Sequence, residues 1–156
     1  QGSSNAIALA KVNFGKYVNY VVEELQPEME MKGVAIHLEN EPPMVPMMVD
    51  PSRLQRVFYN LFHNAAEVMP TGGIIMLRFT LKEGRIITEV EDTGPGIAPE
   101  IATRLFEPFA TGKREGIGLG LAVARRVARE HGGDVSWRRD SAITTFTLTT
   151  GKAENP

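Results

Sequence analysis

Cysteine is absent from the 156 residues. Disulfides, thiolate metal sites and cysteine nucleophiles are thereby excluded, and a reducing compartment is allowed. No apolar run approaches the roughly 18 residues that a bilayer crossing needs, and no signal-peptide pattern opens the chain. Neither sign of charge dominates, because 17 Lys and Arg face 19 Asp and Glu for a net charge of −2. Nucleic-acid binding driven by excess positive charge is excluded, although a local basic patch is not. Histidine is scarce, with only His37, His63 and His131.

What the chain has is enough apolar material for a core. Hydrophobic residues make up 42%, which argues against disorder, and the length fits one domain. The opening Gln1-Gly2-Ser3-Ser4-Asn5-Ala6 reads as a protease-site and cloning remnant. The domain is expected over 7–150, with a short tail over 151–156. Glycine is concentrated: six of 15 (Gly94, Gly96, Gly112, Gly116, Gly118 and Gly120) fall within 27 residues. Glycine weakens regular structure, so such crowding marks backbone that bends or closely approaches something.

Periodicity predicts three long helices. Asn13 is an N-cap for a helix to about Met31, with Phe14, Val18, Val21, Val22, Leu25 and Met29 as its apolar stripe. Asp50-Pro51 opens a second helix to about Met69, a capping carboxylate followed by proline at the first helical position. A third runs over about 118–131 and stops at Gly132-Gly133. Residues 34–39, 74–81, 85–91, 135–138 and 143–149 read as strands. Residues 41–46, with three prolines, read as a loop, and 99–105 as a short helix. There is no internal repeat and no low-complexity segment. The expected class is α+β, with helices on one face of a mostly antiparallel sheet.

Three polar segments interrupt this pattern. Asn60, Asn64 and Glu67 lie on one stripe of the second helix, since steps of four and seven return close to the same direction. An asparagine carbonyl is a hard oxygen donor suited to Mg²⁺, and a plain solvated face fits the stripe equally well. Asp92-Thr93-Gly94-Pro95-Gly96 follows a strand end. A carboxylate there accepts from an exocyclic amine such as that of adenine, although Asp and Gly are also ordinary turn residues. Gly116-Ile117-Gly118-Leu119-Gly120-Leu121 runs into a helix, where free backbone N–H groups attract phosphate. No strand precedes these glycines, so a dinucleotide-binding reading fails. Lys113 and Arg114, just upstream, are within reach of a terminal phosphate or form a solvated loop.

In this order and spacing the segments resemble the ATP-binding domain of sensor histidine kinases, in the superfamily shared with DNA gyrase, the ATP-dependent heat-shock chaperone and MutL. Asn60-Leu61-Phe62-His63-Asn64-Ala65-Ala66 resembles the N box, and Glu91-Asp92-Thr93-Gly94-Pro95-Gly96-Ile97 the first glycine box. Leu105-Phe106-Glu107-Pro108-Phe109 resembles the F box, and Gly116 to Leu121 the second glycine box. Glu130-His131-Gly132-Gly133 is similar to the segment after that helix, and Asn64 through Pro70 leans toward the nitrogen-regulation type. The resemblance covers about Lys11 to Thr149.

It implies a Bergerat-type two-layer α/β sandwich, about three helices on a mixed, mostly antiparallel five-stranded sheet. It implies ATP and Mg²⁺ as ligands. Asn64 would bind the metal, with Asn60 assisting at metal or phosphates. Asp92 would hold the adenine amine in a pocket shaped by Gly94, Gly96 and Ile97. Residues 97–117 would form a mobile lid anchored by Phe106 and Phe109, with Lys113 and Arg114 at the γ-phosphate. Gly116, Gly118, Leu119, Gly120 and Leu121 would line the phosphates, and Thr144 the adenine. Two departures stand out. Glu67 replaces a Lys or Arg common in relatives, and Ala110-Thr111-Gly112-Lys113 replaces a Thr-Thr-Lys run.

No histidine here sits in the His-Glu motif of a phosphoacceptor helix. His37 lies on a strand, His63 inside the N box, and His131 at a helix end where partial positive charge suits the dipole. The chain therefore reads as the C-terminal part of a longer, cytoplasmic or membrane-anchored kinase. Its expected partners are its own dimerisation and phosphoacceptor domain and a cognate response regulator, with no nucleic acid and no direct membrane contact. The fragment itself is expected to be a monomer. Glutamate stands in place of Asn60 in the hydrolytic branch of the superfamily, so its absence favours transfer over hydrolysis. An ATP-hydrolysing switch using Glu67 as base, or a nucleotide-sensing module without transfer, are the rival readings.

Overall fold

A computed structural model describes residues 6–94, 106–107, 117–140 and 142–152. The expected short helix over 99–105 lies outside them. Strand β1 (Ala10–Asn13) leads into helix α1 (Phe14–Met31), whose N-cap Asn13 accepts from the Lys16 N–H at 3.0 Å. Strand β2 (Val34–Leu38) and strand β3 (Pro46–Val49) follow, then helix α2 (Pro51–Glu67). Strands β4 (Gly73–Lys82) and β5 (Arg85–Asp92) form a hairpin. Helix α3 (Ile117–Glu130) and strands β6 (Asp134–Asp140) and β7 (Ile143–Lys152) complete the described chain.

The five-stranded sheet has the order β2-β4-β5-β7-β6. Only the β2–β4 pair is parallel, so the expected mixed, mostly antiparallel sheet is what forms. Alternation along β5 sends Ile86, Thr88, Val90 and Asp92 to the buried face. There they meet the apolar stripes of the three helices in one continuous core that includes Phe14, Phe58, Phe62 and Phe146. On the other face Arg78 bridges Glu39, Glu89 and Glu91 at 2.7–3.0 Å. The two layers of the sandwich are thus an apolar helical layer and a sheet with a charged outer surface.

One strand pair is not legible in the sequence. The three prolines of residues 41–46 predict loop throughout, yet Pro46 opens β3, which pairs antiparallel with β1 in a separate two-stranded sheet. Each strand has four residues, too few for alternation to register, and the pairing joins distant segments. Its consequence is local: β1 and β3 bring Ala8 to the start of α2, where its N–H donates to Asp50 Oδ2 at 2.8 Å.

Asp50 caps α2 through the Arg53 N–H at 3.2 Å, as the Asp-Pro pair predicts. Burial alone would raise its carboxyl. The N–H groups of Ala8 and Arg53, with the Arg53 guanidinium, outweigh that and hold it below the usual carboxylate range. At the other end of α3, His131 has a different role from the helix-dipole cation that its position suggests. Its ring is buried, and Nδ1 lies 2.9 Å from the Val127 carbonyl while Nε2 lies 2.9 Å from the Asp50 N–H. A nitrogen that accepts from a backbone N–H carries no proton, so this geometry fits the neutral ring. His131 therefore ties the end of α3 to the start of α2. Immediately after it, the Gly133 backbone passes so close to Thr149 that a Cβ would overlap the Thr149 carbonyl.

Candidate functional site

Helix α2 presents Asn60 and Asn64 one turn apart, where they sit beside the apolar stripe. Asn60 Nδ2 donates to the Gly120 carbonyl at 3.0 Å, stitching α2 to the first turn of α3, while Oδ1 has no hydrogen bond among the described residues. A side chain at Gly120 would press against this same amide, with a Cβ 3.4 Å from Asn60 Cγ. Asn64 is nearly buried at 9% exposure, and no hydrogen bond among the described residues engages its amide. An unengaged, mostly buried amide costs free energy unless something polar meets it. Asn64 thus keeps a hard oxygen available for a cation such as Mg²⁺. Among the described residues no group of three or more His, Asp and Glu could hold a metal. A cation on Asn64 would take its other ligands from phosphate and water, which is how Mg²⁺ is usually bound.

The adenine-side expectation falls on one row of the sheet. Asp92 on β5 is the register partner of Thr144 on β7, and Thr144 is the partner of Arg139 on β6. Asp92 and Thr144 are each 2% exposed. Asp92 Oδ1 accepts from the Gly94 N–H at 2.9 Å, an Asx turn that the Asp-Thr-Gly sequence favours. Glycine is required at 94, because a Cβ there would come within 2.9 Å of the Val68 carbonyl oxygen. Oδ2 carries no hydrogen bond among the described residues. Burial pushes the Asp92 carboxyl up from its usual range, while the Gly94 N–H and the Arg139 charge oppose that rise. Thr144 Oγ1 accepts from Arg139 Nη1 at 2.7 Å, and the same Nη1 lies 3.4 Å from the Gly94 carbonyl. Sequence reading missed Arg139. Only the β6–β7 register brings it beside Thr144.

Other expected site residues divide clearly. Gly118, Leu119 and Gly120 occupy the first turn of α3, where backbone N–H groups lack intrahelical acceptors. The Leu121 side chain is buried in the core, so only its backbone faces outward chemistry. Phe106 packs against the core with the Arg125 guanidinium 4.3 Å from its ring centroid, consistent with an anchoring role. Gly96, Ile97, Phe109, Lys113, Arg114 and Gly116 lie outside the described residues. His63 is engaged within the fold, with Nδ1 at 2.9 Å from the Tyr59 carbonyl and Nε2 at 2.7 Å from Glu28.

Comparison with known proteins agrees with this fold. The C4-dicarboxylate transport sensor protein DctB of Rhizobium meliloti is 36% identical over 76% of this chain and 20% of its own length. Sporulation kinase A of Bacillus subtilis is 34% identical over 78% of this chain and 20% of its own. Sensory histidine kinase/phosphatase NtrB of Rhodobacter capsulatus is 36% identical over 69% of this chain and 34% of its own. The chain therefore spans about a third or less of these relatives. Full-length ShkA in complex with AMPPNP superposes with a TM-score of 0.80 at 29% identity, over 96% of this chain and 32% of that one. The catalytic domain of histidine kinase ThkA has the same fold, with a TM-score of 0.79 at 24% identity over 93% of this chain and 96% of that one. Residues 49–154 match the family described as histidine kinase-, DNA gyrase B- and HSP90-like ATPase, and the chain belongs to that family.

Proposed function

We propose that this chain is the ATP-binding catalytic unit of a sensor histidine kinase. It binds MgATP and delivers the γ-phosphoryl group to a histidine on a separate dimerisation and phosphoacceptor domain. The observation that carries the reading is Asp92, a buried carboxylate with one oxygen fixed by Gly94 and the other left as an acceptor. A buried carboxylate held this way needs a donor, and the exocyclic amine of adenine is one. Asn64 would hold Mg²⁺, which would supply positive charge against the phosphates. Asn60 and the first turn of α3 would hold the phosphates, with Gly116, Lys113 and Arg114 added from the chain before the helix. Gly96, Ile97 and Phe109 would complete the pocket around the adenine.

The chemistry asks little of a base. An imidazole nitrogen of the acceptor uses its lone pair to attack the γ-phosphorus, the bond to the β–γ bridging oxygen breaks, and ADP leaves. Phosphoryl transfer is mostly positioning and charge neutralisation, which amides, Mg²⁺ and basic side chains supply. Downstream, the phosphoryl group would pass to a cognate response regulator. The isolated unit would be a monomer on the cytoplasmic side. Among the described residues no helix is long and apolar enough to cross a membrane.

The test mixes this domain with a separately expressed acceptor domain and γ-labelled ATP, alongside Asn64→Ala. Label on an acceptor histidine, lost in Asn64→Ala, is the expected result. Label released only as free phosphate supports the hydrolysing switch instead. Nucleotide bound with neither outcome supports a sensing module.

A further inference from the structure

Arg139 lies at the edge of the sheet, in line with Thr144 and Asp92 across three adjacent strands. Its guanidinium donates and never accepts, so the 2.7 Å contact to Thr144 Oγ1 has one polarity. Thr144 must be the acceptor there, and its single hydroxyl proton is left for a second partner. Gly94 N–H imposes the complementary constraint on Asp92, occupying Oδ1 and leaving Oδ2 as an acceptor. The row therefore offers one fixed acceptor and one fixed donor side by side. The Watson–Crick edge of adenine answers with a donor, the N6 amine, and an acceptor, the bare N1. Guanine presents the reverse, the O6 acceptor and a protonated N1. Each polarity would be wrong for it.

We propose that Arg139 is a specificity-determining positioning residue of the nucleotide site, which selects adenine by holding the Thr144 hydroxyl as a donor toward N1 of the base. This rests on the nucleotide reading of Asp92 given above. Arg139 does not itself touch the base. Its second contact, 3.4 Å to the Gly94 carbonyl, braces the turn that orients Asp92. Its positive charge near Asp92 also opposes the effect of burial and favours the ionised, acceptor form of that carboxylate.

The test measures ATP and GTP affinities by calorimetry for the parent domain, Arg139→Met, Arg139→Lys, Thr144→Val and the Arg139→Met/Thr144→Val double variant. Arg139 is exposed and outside the core, so Arg139→Met keeps the fold, which melting curves check. The parent is expected to prefer ATP, and Arg139→Met to lose about tenfold or more of that preference, mainly through weaker ATP binding. Arg139→Lys, still an obligate donor, is expected to restore most of it. In the Thr144→Val background the Arg139→Met change is expected to add little, because the hydroxyl it orients is gone. An unchanged ATP-to-GTP ratio in Arg139→Met, or an equally large effect with and without the Thr144 hydroxyl, overturns the proposal while leaving the nucleotide site intact. A folded parent that binds neither nucleotide overturns the nucleotide reading itself.

Discussion

The Asn60 side chain on α2 and the Gly120 carbonyl on α3 are joined by a 3.0 Å hydrogen bond across 60 residues of sequence. The amide uses its donor end on the helix backbone, so its carbonyl end is what remains for a ligand. This division predicts that one change at Asn60 costs both structure and binding. Asn60→Asp replaces the donor by a second acceptor facing the Gly120 carbonyl. It is expected to lower stability by about 1 kcal/mol or more, and to weaken triphosphate binding through added negative charge. Chemical denaturation and ATP titration of the same sample check both.

Asp92→Asn should divide stability from affinity. Burial raises the folded-state pKa of Asp92, so the folded protein favours the proton. The contribution to stability is fully present below the ordinary carboxylate value and is lost as pH rises through the raised one. At neutral pH the ionised group is a net cost, which asparagine removes while still accepting from Gly94. The variant is expected to melt at or above the parent temperature at pH 7. Its ATP affinity should fall about tenfold, roughly 1.4 kcal/mol.

Asp50 has the opposite sign. Its folded-state carboxyl is held low, so its stabilisation is present above the ordinary carboxylate value and is lost as pH falls through the depressed one. Asp50→Ala removes the α2 cap and the Ala8 tether together. The expected loss is about 1–2 kcal/mol at pH 7. The gap to the parent should narrow below about pH 4. Urea midpoints across that range measure it.

Thr88 is fully buried, and its hydroxyl has no hydrogen-bond partner among the described residues. Thr88→Val replaces an unpaired hydroxyl by a methyl group of similar size. The change is expected to stabilise the domain by about 1 kcal/mol without altering nucleotide affinity. Thermal melts and calorimetry check the two halves.

Much of this was legible in the sequence where the cause is local. Asn13 and Asp50 cap the helices they were expected to cap, and the apolar stripes are the buried ones. Asn64 was visible because a polar residue beside an apolar stripe breaks the helix's pattern, and Asp92 because it ends a strand beside closely spaced glycines. The missed pieces depend on pairing between distant segments. The β1–β3 pair was hidden by shortness and by the neighbouring prolines. Arg139 lay in a strand whose register with β7 no local pattern specifies. His131 was read from its helix end, whereas its partner Asp50 is 81 residues away.

The proposed site holds an adenine nucleotide between Asp92 at one end and Asn64 at the other. A crystal structure of the domain with a non-hydrolysable MgATP analogue tests it directly. The adenine N6 is expected about 3 Å from Asp92 Oδ2. Mg²⁺ is expected at about 2.1 Å from the Asn64 side-chain oxygen. A nucleotide seated elsewhere, or a metal coordinated without Asn64, would contradict it.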